Sequence, residues 1–370
     1  MAKREFLMLA HDYSPTKHGI GGWFLSEKLD GQRCFWDGGI SRGILKSDIP
    51  WANTLKDERL VTPPRATGLW SRYGNVIQAP VWWLDALPLI PLDGELWMGR
   101  QNRQQLMSAV RKLTPEDWAW KGIRFYAFDM PSYEQVFAQG TINNPNFQKI
   151  FHWDDLWKWI SPRLGSLNHL PTPNMPFQTI VKVMKSHIPQ NNLVVEPLEQ
   201  YQLPHQTSTA QQIAATALEN VSNLGGEGLI LRSPDGLWIP KRLHTLVKMK
   251  KLSDDEAKVI GCTSGRETDK GSKLLGLMGA LIVEYNGKRF ELSGFTDQER
   301  ELRTIEGMPG AGYLDDHYDA QSWARHNPGE ECPPWIEPKL FPRGTHVTFK
   351  YRELSNDGIP IEARYWRKGS

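Results

Sequence analysis

At 370 residues the chain is long enough for about two domains of ordinary size. Its 32 glycines, 26 prolines and 23% of charged residues lie near the averages of globular proteins, which excludes collagen-like and wholly disordered chains. Because 44 basic residues face 42 acidic ones, a nucleic-acid surface would require local clustering of charge rather than an overall imbalance.

The cysteines and the apolar runs indicate a cytoplasmic chain. Cys34, Cys262 and Cys332 are far apart in the sequence and form neither a CxxC metal pair nor a disulfide framework. The apolar run near the N-terminus is too short for a signal peptide, and no run approaches the 18 apolar residues typical of a membrane helix. We therefore expect no membrane association.

In the N-terminal two thirds of the chain, short β-type runs are interrupted by Gly, Asp-Gly and Pro. The runs before Asp30-Gly31 and before Asp37-Gly38 predict hairpins and antiparallel sheet. Helical periodicity is clearest at 103–113, 153–160 and 208–224. The mixture favours an α+β fold over a βαβ fold, and most of the 16 tryptophans are expected in the core or in groove walls rather than as platforms for base stacking.

A second domain is predicted after residue 252. Short β-type runs follow at 257–261, 279–285, 288–292 and 345–351, which is typical of a small barrel. The segment 308–338 is rich in Gly, Pro, Asp and His, and it is interpreted as an insertion or a long loop. The predicted domains are therefore 1–252 and 253–370.

A lysine that ends a β-type run opens the hexapeptide KLDGQR at 28–33. A lysine that attacks phosphorus must lose its proton, and the ordinary lysine pKa is about 10.4. It therefore needs an enclosed, electropositive or metal-bearing site. Taken alone, this hexapeptide is more typical of a solvated hairpin.

Two further runs contain acidic residues. The run LDGELW at 92–97 puts Asp93, Glu95 and Trp97 on one face of a strand. The run RFYAFD at 124–129 contains Phe128, which is either a core residue or one wall of a purine slot. Neither run is specific by itself.

Two last runs combine glycine, acid and lysine. In GGEGLILR at 225–232, glycines allow a ligand to approach closely, and Glu227 suits a Mg²⁺ ion held against phosphate oxygens. In LVKMK at 246–250, Lys248 and Lys250 project from one face. Two neighbouring ammonium groups repel each other unless an anion such as a triphosphate lies between them, although an exposed strand edge is the simpler alternative.

The order of these five runs resembles that of the covalent nucleotidyltransferases, and of the small two-domain ATP-dependent DNA ligases in particular. The resemblance covers most of the chain, because 255–261, 277–284 and 290–295 resemble the ligase OB-fold and the C-terminal residues resemble the basic last motif of the family. It implies an α+β nucleotidyltransferase domain of antiparallel sheets with helices, followed by an OB-fold β-barrel. It also implies a monomer that uses ATP and Mg²⁺ or Mn²⁺ to seal nicks in double-stranded DNA through lysyl-AMP and DNA-adenylate intermediates.

The resemblance also assigns roles to residues. Lys28 would be the nucleophile, Asp30 would position the reacting groups, and Lys248 and Lys250 would bind the α-phosphate. The ribose would contact Arg33 and Glu95, adenine would stack on Phe128, the metal would lie at Glu95 and Glu227, and the pyrophosphate would meet Arg364, Arg367 and Lys368. Glu27 would add a nucleotide contact, since Ser26 stands where the family often has an acid. The residues expected to contact DNA are Arg42, Lys241, Arg242, Arg266, Lys270 and Lys273.

Two other functions remain open at this point. An RNA ligase or an mRNA capping enzyme also carries the KxDG motif, and labelling by ATP or by GTP would separate the capping enzyme from a ligase. A non-catalytic OB-fold protein could bind single strands by stacking bases on tryptophan, but it leaves the lysines and Glu227 unexplained. The expected compartment is the cytoplasm, or the host cytoplasm for a phage-encoded protein.

Overall fold

In the computed structural model of the chain, the described residues are 7–53, 64–137, 153–164, 175–251, 253–267, 271–308, 319–355 and 357–369. They form two compact units that divide between Lys250 and Lys251. Residue 252, the predicted domain boundary, lies outside the described residues. Both units contain strands and helices, so the prediction of a mixed α and β protein is confirmed.

The first unit contains two five-stranded sheets, with the strand orders β1-β10-β9-β2-β8 and β4-β3-β5-β6-β7. Most pairs are antiparallel, as predicted, but β1 with β10 and β6 with β7 are parallel. The strands are β1 Leu9–Asp12, β2 Phe24–Glu27, β3 Gln32–Asp37, β4 Leu69–Ser71, β5 Pro91–Trp97, β6 Arg124–Asp129, β7 Val195–Pro197, β8 Tyr201–Gln202, β9 Leu229–Arg232 and β10 Arg242–Met249.

The hairpin predicted at Asp30-Gly31 is wrong, whereas β3, which ends at Asp37, does pair antiparallel with the next strand, β4, although residues 38–68 lie between them. Strand β2 pairs with β8 and β9, whereas β3 pairs with β4 and β5 in the other sheet. Asp30 and Gly31 therefore lie where the chain crosses between sheets. Only glycine fits at position 31, because an added Cβ would lie 2.1 Å from the Leu96 carbonyl oxygen. Alternation of side chains indicates the buried face of a strand but not its partner.

The predicted helices are present. The helix predicted at 103–113 ends earlier than expected, at Val110. The helices of the first unit are α1 Val81–Asp85, α2 Arg103–Val110, α3 Asp117–Trp120, α4 Tyr133–Phe137, α5 Trp153–Ile160, α6 Phe177–His187 and α7 Thr207–Asn223.

Tryptophan contributes strongly to the core of this unit. Trp83 and Trp120 are both fully buried and pack edge to face, with ring centroids 4.9 Å apart. Trp36 belongs to the same cluster, and Trp51 and Trp70 to a second one. Such edge-to-face pairs add to the stabilisation from burial. Among the described residues, no helix combines the length and the apolar character that crossing a bilayer requires.

The second unit contains a five-stranded antiparallel sheet in the order β13-β12-β11-β16-β19. Among the described residues, its edges are joined by a single parallel bridge, in which the Tyr365 N–H donates to the Ser293 carbonyl at 2.8 Å. The elements are β11 Ser253–Ser264, β12 Met278–Tyr285, β13 Lys288–Leu292, β14 Leu302–Thr304, α8 Ala320–His326, β15 Ile336–Pro338, β16 His346–Tyr351, β17 Glu353–Leu354, β18 Pro360–Ile361 and β19 Arg364–Lys368.

The segment 308–338 is not only a loop. It contains the helix α8 and the strand β15, and β15 pairs with β14, although 309–318 lie outside the described residues. The same segment brings two cysteines together, because the Cys332 N–H donates to the Cys262 carbonyl at 2.8 Å. Both are buried free thiols, so cysteines that are distant in the sequence are neighbours in the fold.

Candidate active site

Lys28 lies just after β2, where the chain leaves one sheet of the first unit for the other. Its backbone N–H donates to the Gly228 carbonyl at 2.8 Å. Strand β2 also pairs with β9, with Glu27 opposite Leu229. The pairing therefore puts the KLDGQR run beside the GGEG run, although about 200 residues separate them in the sequence.

Glu227 lies at the centre of this site. Its carboxylate forms ion pairs with the Lys28 ammonium group and with Lys250 Nζ, the latter at 2.8 Å. Burial favours a higher pKa for Glu227, but the two lysines outweigh it and lower the pKa. Gly228 allows this approach, since an added Cβ would lie 2.2 Å from the Met249 carbonyl oxygen. The result is a carboxylate enclosed by two ammonium groups.

Glu95 interacts electrostatically with Lys28 and Glu227. Burial raises the pKa of Glu95 to about 7. Lys28 and Arg33 oppose this shift, and the negative charge of Glu227 adds to it. A nearby cation stabilises the ionised form of such a carboxyl group. The described residues contain no group of three or more His, Cys, Asp or Glu arranged to hold a metal. A metal at Glu95 and Glu227 would therefore complete its shell with phosphate and water oxygens, which suits Mg²⁺.

Arg33 is held by a residue that was not predicted to belong to the site. Its guanidinium binds both oxygens of the buried Asp93, at 2.7 and 2.6 Å, and the Trp238 indole N–H donates to the same carboxylate at 2.8 Å. The guanidinium carbon also lies 4.5 Å from the centroid of the Phe128 ring. Asp93 directly precedes Gly94-Glu95 and so belongs to a run that the sequence had singled out. The sequence did not indicate that Arg33 is its partner.

The other predicted acids of the lysine loop also have arginine partners. Arg100 binds both oxygens of Glu27, at 2.8 and 2.7 Å, and Arg103 Nε lies 2.8 Å from Asp30 Oδ1. Both arginines were missed in the sequence. Arg100 lies in the turn before α2, and Arg103 is the first residue of that helix.

The two lysines of the VKMK run have different partners. Lys250 pairs with the buried Glu227, whereas Lys248 Nζ lies 3.3 Å from Asp12 Oδ1. The Asp12 side chain is 86% exposed, against 6% for Glu227. Lys250 is thus the more enclosed of the two.

Arg42 belongs to a rigid turn. The buried Asp37 carboxylate accepts hydrogen bonds from the Gly39 N–H at 2.9 Å, the Ser41 hydroxyl at 2.5 Å and the Trp70 indole at 2.8 Å. Burial raises the pKa of Asp37 to about 6. Arg42 Nη1 lies 2.7 Å from Asp85 Oδ1, so this predicted DNA contact is balanced by an acid in the structure.

The remaining predicted residues lie elsewhere. Lys241 and Arg242 are exposed at the start of β10, and the Arg242 guanidinium donates to the Ala10 carbonyl. In the second unit, Lys273 Nζ lies 2.5 Å from Asp297 Oδ2. Lys270 lies outside the described residues. The exposed basic residues described in the second unit include Arg266, Arg364, Arg367 and Lys368.

A three-histidine cluster was also missed. His18 Nε2 lies 3.0 Å from His244 Nδ1, and the His11 and His244 rings are stacked with centroids 3.9 Å apart. Stacked rings do not direct their nitrogens at one point, so the cluster is not arranged as a metal site. These three residues are distant in the sequence and share no motif.

Lys28, Glu227 and Lys250 thus meet where strands of the first unit pair, as the resemblance to covalent nucleotidyltransferases predicted. No protein-family model matches the chain. A DNA ligase of Haemophilus influenzae is 24% identical to it over 98% of this chain and 91% of its own length. The predicted resemblance to the ATP-dependent DNA ligases is confirmed by this relative and by solved structures.

Two of these structures agree in fold over nearly the whole chain. A structure from an analysis of Lig E DNA ligases, described as binding DNA with a minimal scaffold, covers 98% of both chains at 24% identity with a TM-score of 0.60. The structure named Pmar-Lig_PreS3 matches 98% of this chain and 67% of its own at 18% identity, with a TM-score of 0.56. The likeness includes the second unit as well as the first.

Proposed function

We propose that the chain is an ATP-dependent DNA ligase that seals nicks in double-stranded DNA, with Lys28 as its nucleophile. The convergence of Lys28 and Lys250 on the buried Glu227 carries this proposal. Two ammonium groups held beside one carboxylate form a site for a phosphate that must react as well as bind. The related DNA ligase supports the same substrate.

In the first step, unprotonated Lys28 Nζ attacks the α-phosphorus of ATP. A P–N bond forms, the bond to the bridging oxygen breaks, and pyrophosphate leaves. Lys250 lies close enough to Glu227 to act on the same phosphate, where it offsets the charge that develops. Such transfers depend mainly on positioning and charge neutralisation. Lys248, beside the exposed Asp12, contributes less to this step.

In the two following steps the adenylate is used on DNA. The 5′-phosphate at the nick attacks the phosphorus of lysyl-AMP, so the P–N bond breaks and Lys28 is regenerated. The 3′-hydroxyl then attacks the activated 5′-phosphate, which forms the phosphodiester and releases AMP. Arg42, on the turn fixed by Asp37, is proposed to bind the nick phosphate after it exchanges Asp85 for the DNA.

The nucleotide is proposed to lie between Glu95 and Phe128. Phe128 would stack on adenine with the ring face that Arg33 does not cover. Arg33 and Glu95 would contact the ribose. Mg²⁺ would be held by Glu95 and Glu227, whose carboxylates fit a hard cation, and it would neutralise phosphate charge.

The domain roles are also part of the proposal. Residues 1–252 would be the adenylation domain and 253–370 an OB-fold barrel, for which the order and pairing of β11, β12, β13, β16 and β19 provide support. The enzyme would act as a cytoplasmic monomer. The basic residues Arg364, Arg367 and Lys368 would contact the pyrophosphate, and Lys241, Arg242, Arg266, Lys270 and Lys273 the DNA.

The test is covalent labelling followed by a chase. The full chain is incubated with α-labelled ATP and Mg²⁺, denatured, and analysed for retained label; a second portion is chased with nicked duplex before denaturation. We expect label on the protein that passes to DNA and leaves as AMP while sealed product appears. Labelling by GTP alone would indicate a capping enzyme, sealing of RNA but not DNA an RNA ligase, and absence of covalent label a non-catalytic protein.

A further inference from the structure

A short turn between β5 and α2 contacts residues that lie before and after Lys28 in the sequence. This arginine turn comprises residues 99–103. Arg100 binds both oxygens of Glu27, at 2.8 and 2.7 Å, and Arg103 Nε lies 2.8 Å from Asp30 Oδ1. Glu27 directly precedes Lys28 and Asp30 follows it by two residues. Each of these two acids is therefore paired with an arginine of one turn.

The same turn also contacts the segment that carries Glu227. Gln101 has a φ of 65°, a left-handed conformation that is uncommon for a residue other than glycine. Its side-chain amide packs against Gly225, where an added Cβ would lie 2.5 Å from Gln101 Nε2. A strained backbone of this kind persists only where surrounding contacts hold it. The arginine turn thus bridges the two segments whose side chains meet in the Lys28–Glu227 pair.

The charges explain why such a bridge matters. Glu27 and Asp30 flank Lys28 in the chain, and a negative charge left unbalanced at either residue would repel an approaching triphosphate. Their side chains are only 21% and 26% exposed, so water screens them less than it screens fully exposed acids. A guanidinium that binds both carboxylate oxygens fixes the position of the acid as well as neutralising it.

We infer that Arg100 and Arg103 are positioning residues for the adenylylation step. They hold Glu27 and Asp30 away from Lys28 and neutralise them, which leaves the ammonium group directed at Glu227 and at the nucleotide. This inference rests on the proposed function, in which Lys28 is the nucleophile. Gln101 sets the distance between the two segments.

A positioning role has a kinetic signature. Arg100→Gln is expected to slow AMP transfer to Lys28 by about 10- to 100-fold, because a small displacement of a reacting group costs about that much. The ATP concentration at half-maximal rate and the melting temperature are expected to change little. Arg100→Lys keeps the charge but loses the two-pronged contact, so it should restore part of the rate.

The experiment measures single-turnover AMP transfer by intact-protein mass spectrometry over a range of ATP concentrations. The variants are Arg100→Gln, Arg100→Lys and Arg103→Gln in the full chain. Arg111→Gln, at the other end of α2, is the matched control and should transfer AMP like the wild type. A further variant combines Arg100→Gln with Glu27→Gln. Since it removes the acid together with its partner, it should transfer AMP faster than Arg100→Gln alone.

The outcomes separate this inference from the proposed function. A wild type that never acquires AMP overturns the proposed function. If the wild type acquires AMP, a wild-type rate in both glutamine variants overturns the inference alone. So does an effect confined to ATP affinity, or a double variant that is no faster than Arg100→Gln. Should Arg100→Gln fail to fold, Arg103→Gln and Arg100→Lys provide the same comparison.

Discussion

The basic residues of the two units are held in opposite ways. In the first unit, Lys28 and Lys250 are partly buried and share the carboxylate of Glu227. In the second unit, Arg364 and Arg367 lie on the exposed edge strand β19, which pairs only with β16 among the strands of its sheet. An enclosed charge acts at short range on a reacting group, whereas an exposed charge is screened and acts mainly on affinity.

This difference follows from what each basic side chain faces. Lys28 and Lys250 come directly after β2 and β10, and the pairing of both strands with β9 brings the two lysines to the Glu227 carboxylate. In the second unit, the side chains of Arg364 and Arg367 are exposed to solvent.

The largest expected effect is at the nucleophile. Lys28→Ala should fold and fail to acquire AMP, because a methyl group offers no nucleophile while Lys250 still neutralises Glu227. Intact-protein mass spectrometry after incubation with ATP and Mg²⁺ checks this. An AMP adduct on the variant would assign the nucleophile to another residue. The enclosed Lys28 would then not be the group that reacts.

The two lysines of the VKMK run test the comparison within one unit. Lys250→Ala should slow AMP transfer by about 100-fold and Lys248→Ala by about 10-fold, because Lys250 pairs with the buried acid and Lys248 with the exposed Asp12. Single-turnover rates measured beside ATP binding constants decide this. Equal reductions of the rate in the two variants would show that enclosure does not determine their contributions.

Asp37 is a buried acid whose hydrogen bonds fix the turn that carries the partly exposed Arg42. Asp37→Asn should destabilise the fold by about 1–3 kcal/mol, because an amide cannot accept all three hydrogen bonds of the carboxylate. It should also weaken binding of nicked DNA through Arg42 while AMP transfer is retained. Urea denaturation measures the change in stability, and titration with nicked DNA measures the change in affinity. An unchanged DNA affinity would show that Arg42 does not contact the DNA.

The protonation of Glu95 predicts a pH effect on stability. Folding raises its pKa from 4.5 to about 7, so its favourable contribution is complete below pH 4.5 and is lost as the pH rises through 7. Glu95→Gln should therefore gain stability relative to the wild type across this window, by about 1–3 kcal/mol at pH 8. Thermal unfolding at several pH values tests this, and a constant difference would contradict it.

The smallest effects are expected at the exposed residues of the second unit. Arg266→Ala and Lys273→Ala should weaken DNA binding only a few-fold, and each should lower the slope of log affinity against log salt by about 0.9 for every phosphate that is no longer neutralised. Lys288→Ala, on the edge strand β13, is the matched control. DNA titrations at several salt concentrations measure the slope, and an unchanged slope would exclude both residues from the DNA surface.

The sequence determined much of the local structure. The three helices were predicted from periodicity within a few residues, and four strands of the second unit, β11, β12, β13 and β16, were found where they were expected. The order of five short runs was sufficient to predict the resemblance to DNA ligases. All of these signals are local, because periodicity and motif spacing depend on residues that are near each other in the chain.

The tertiary structure decided which residues meet. Strand pairing is non-local, so the sequence could not show that the chain crosses between sheets at Asp30-Gly31 or that β1 and β10 are parallel. For the same reason the partners of known site residues were missed. Arg100 and Arg103 reach the lysine loop only because β5 ends beside it, and the choice between Glu227 and Asp12 as partners of two neighbouring lysines depends on how β1, β9 and β10 pack together.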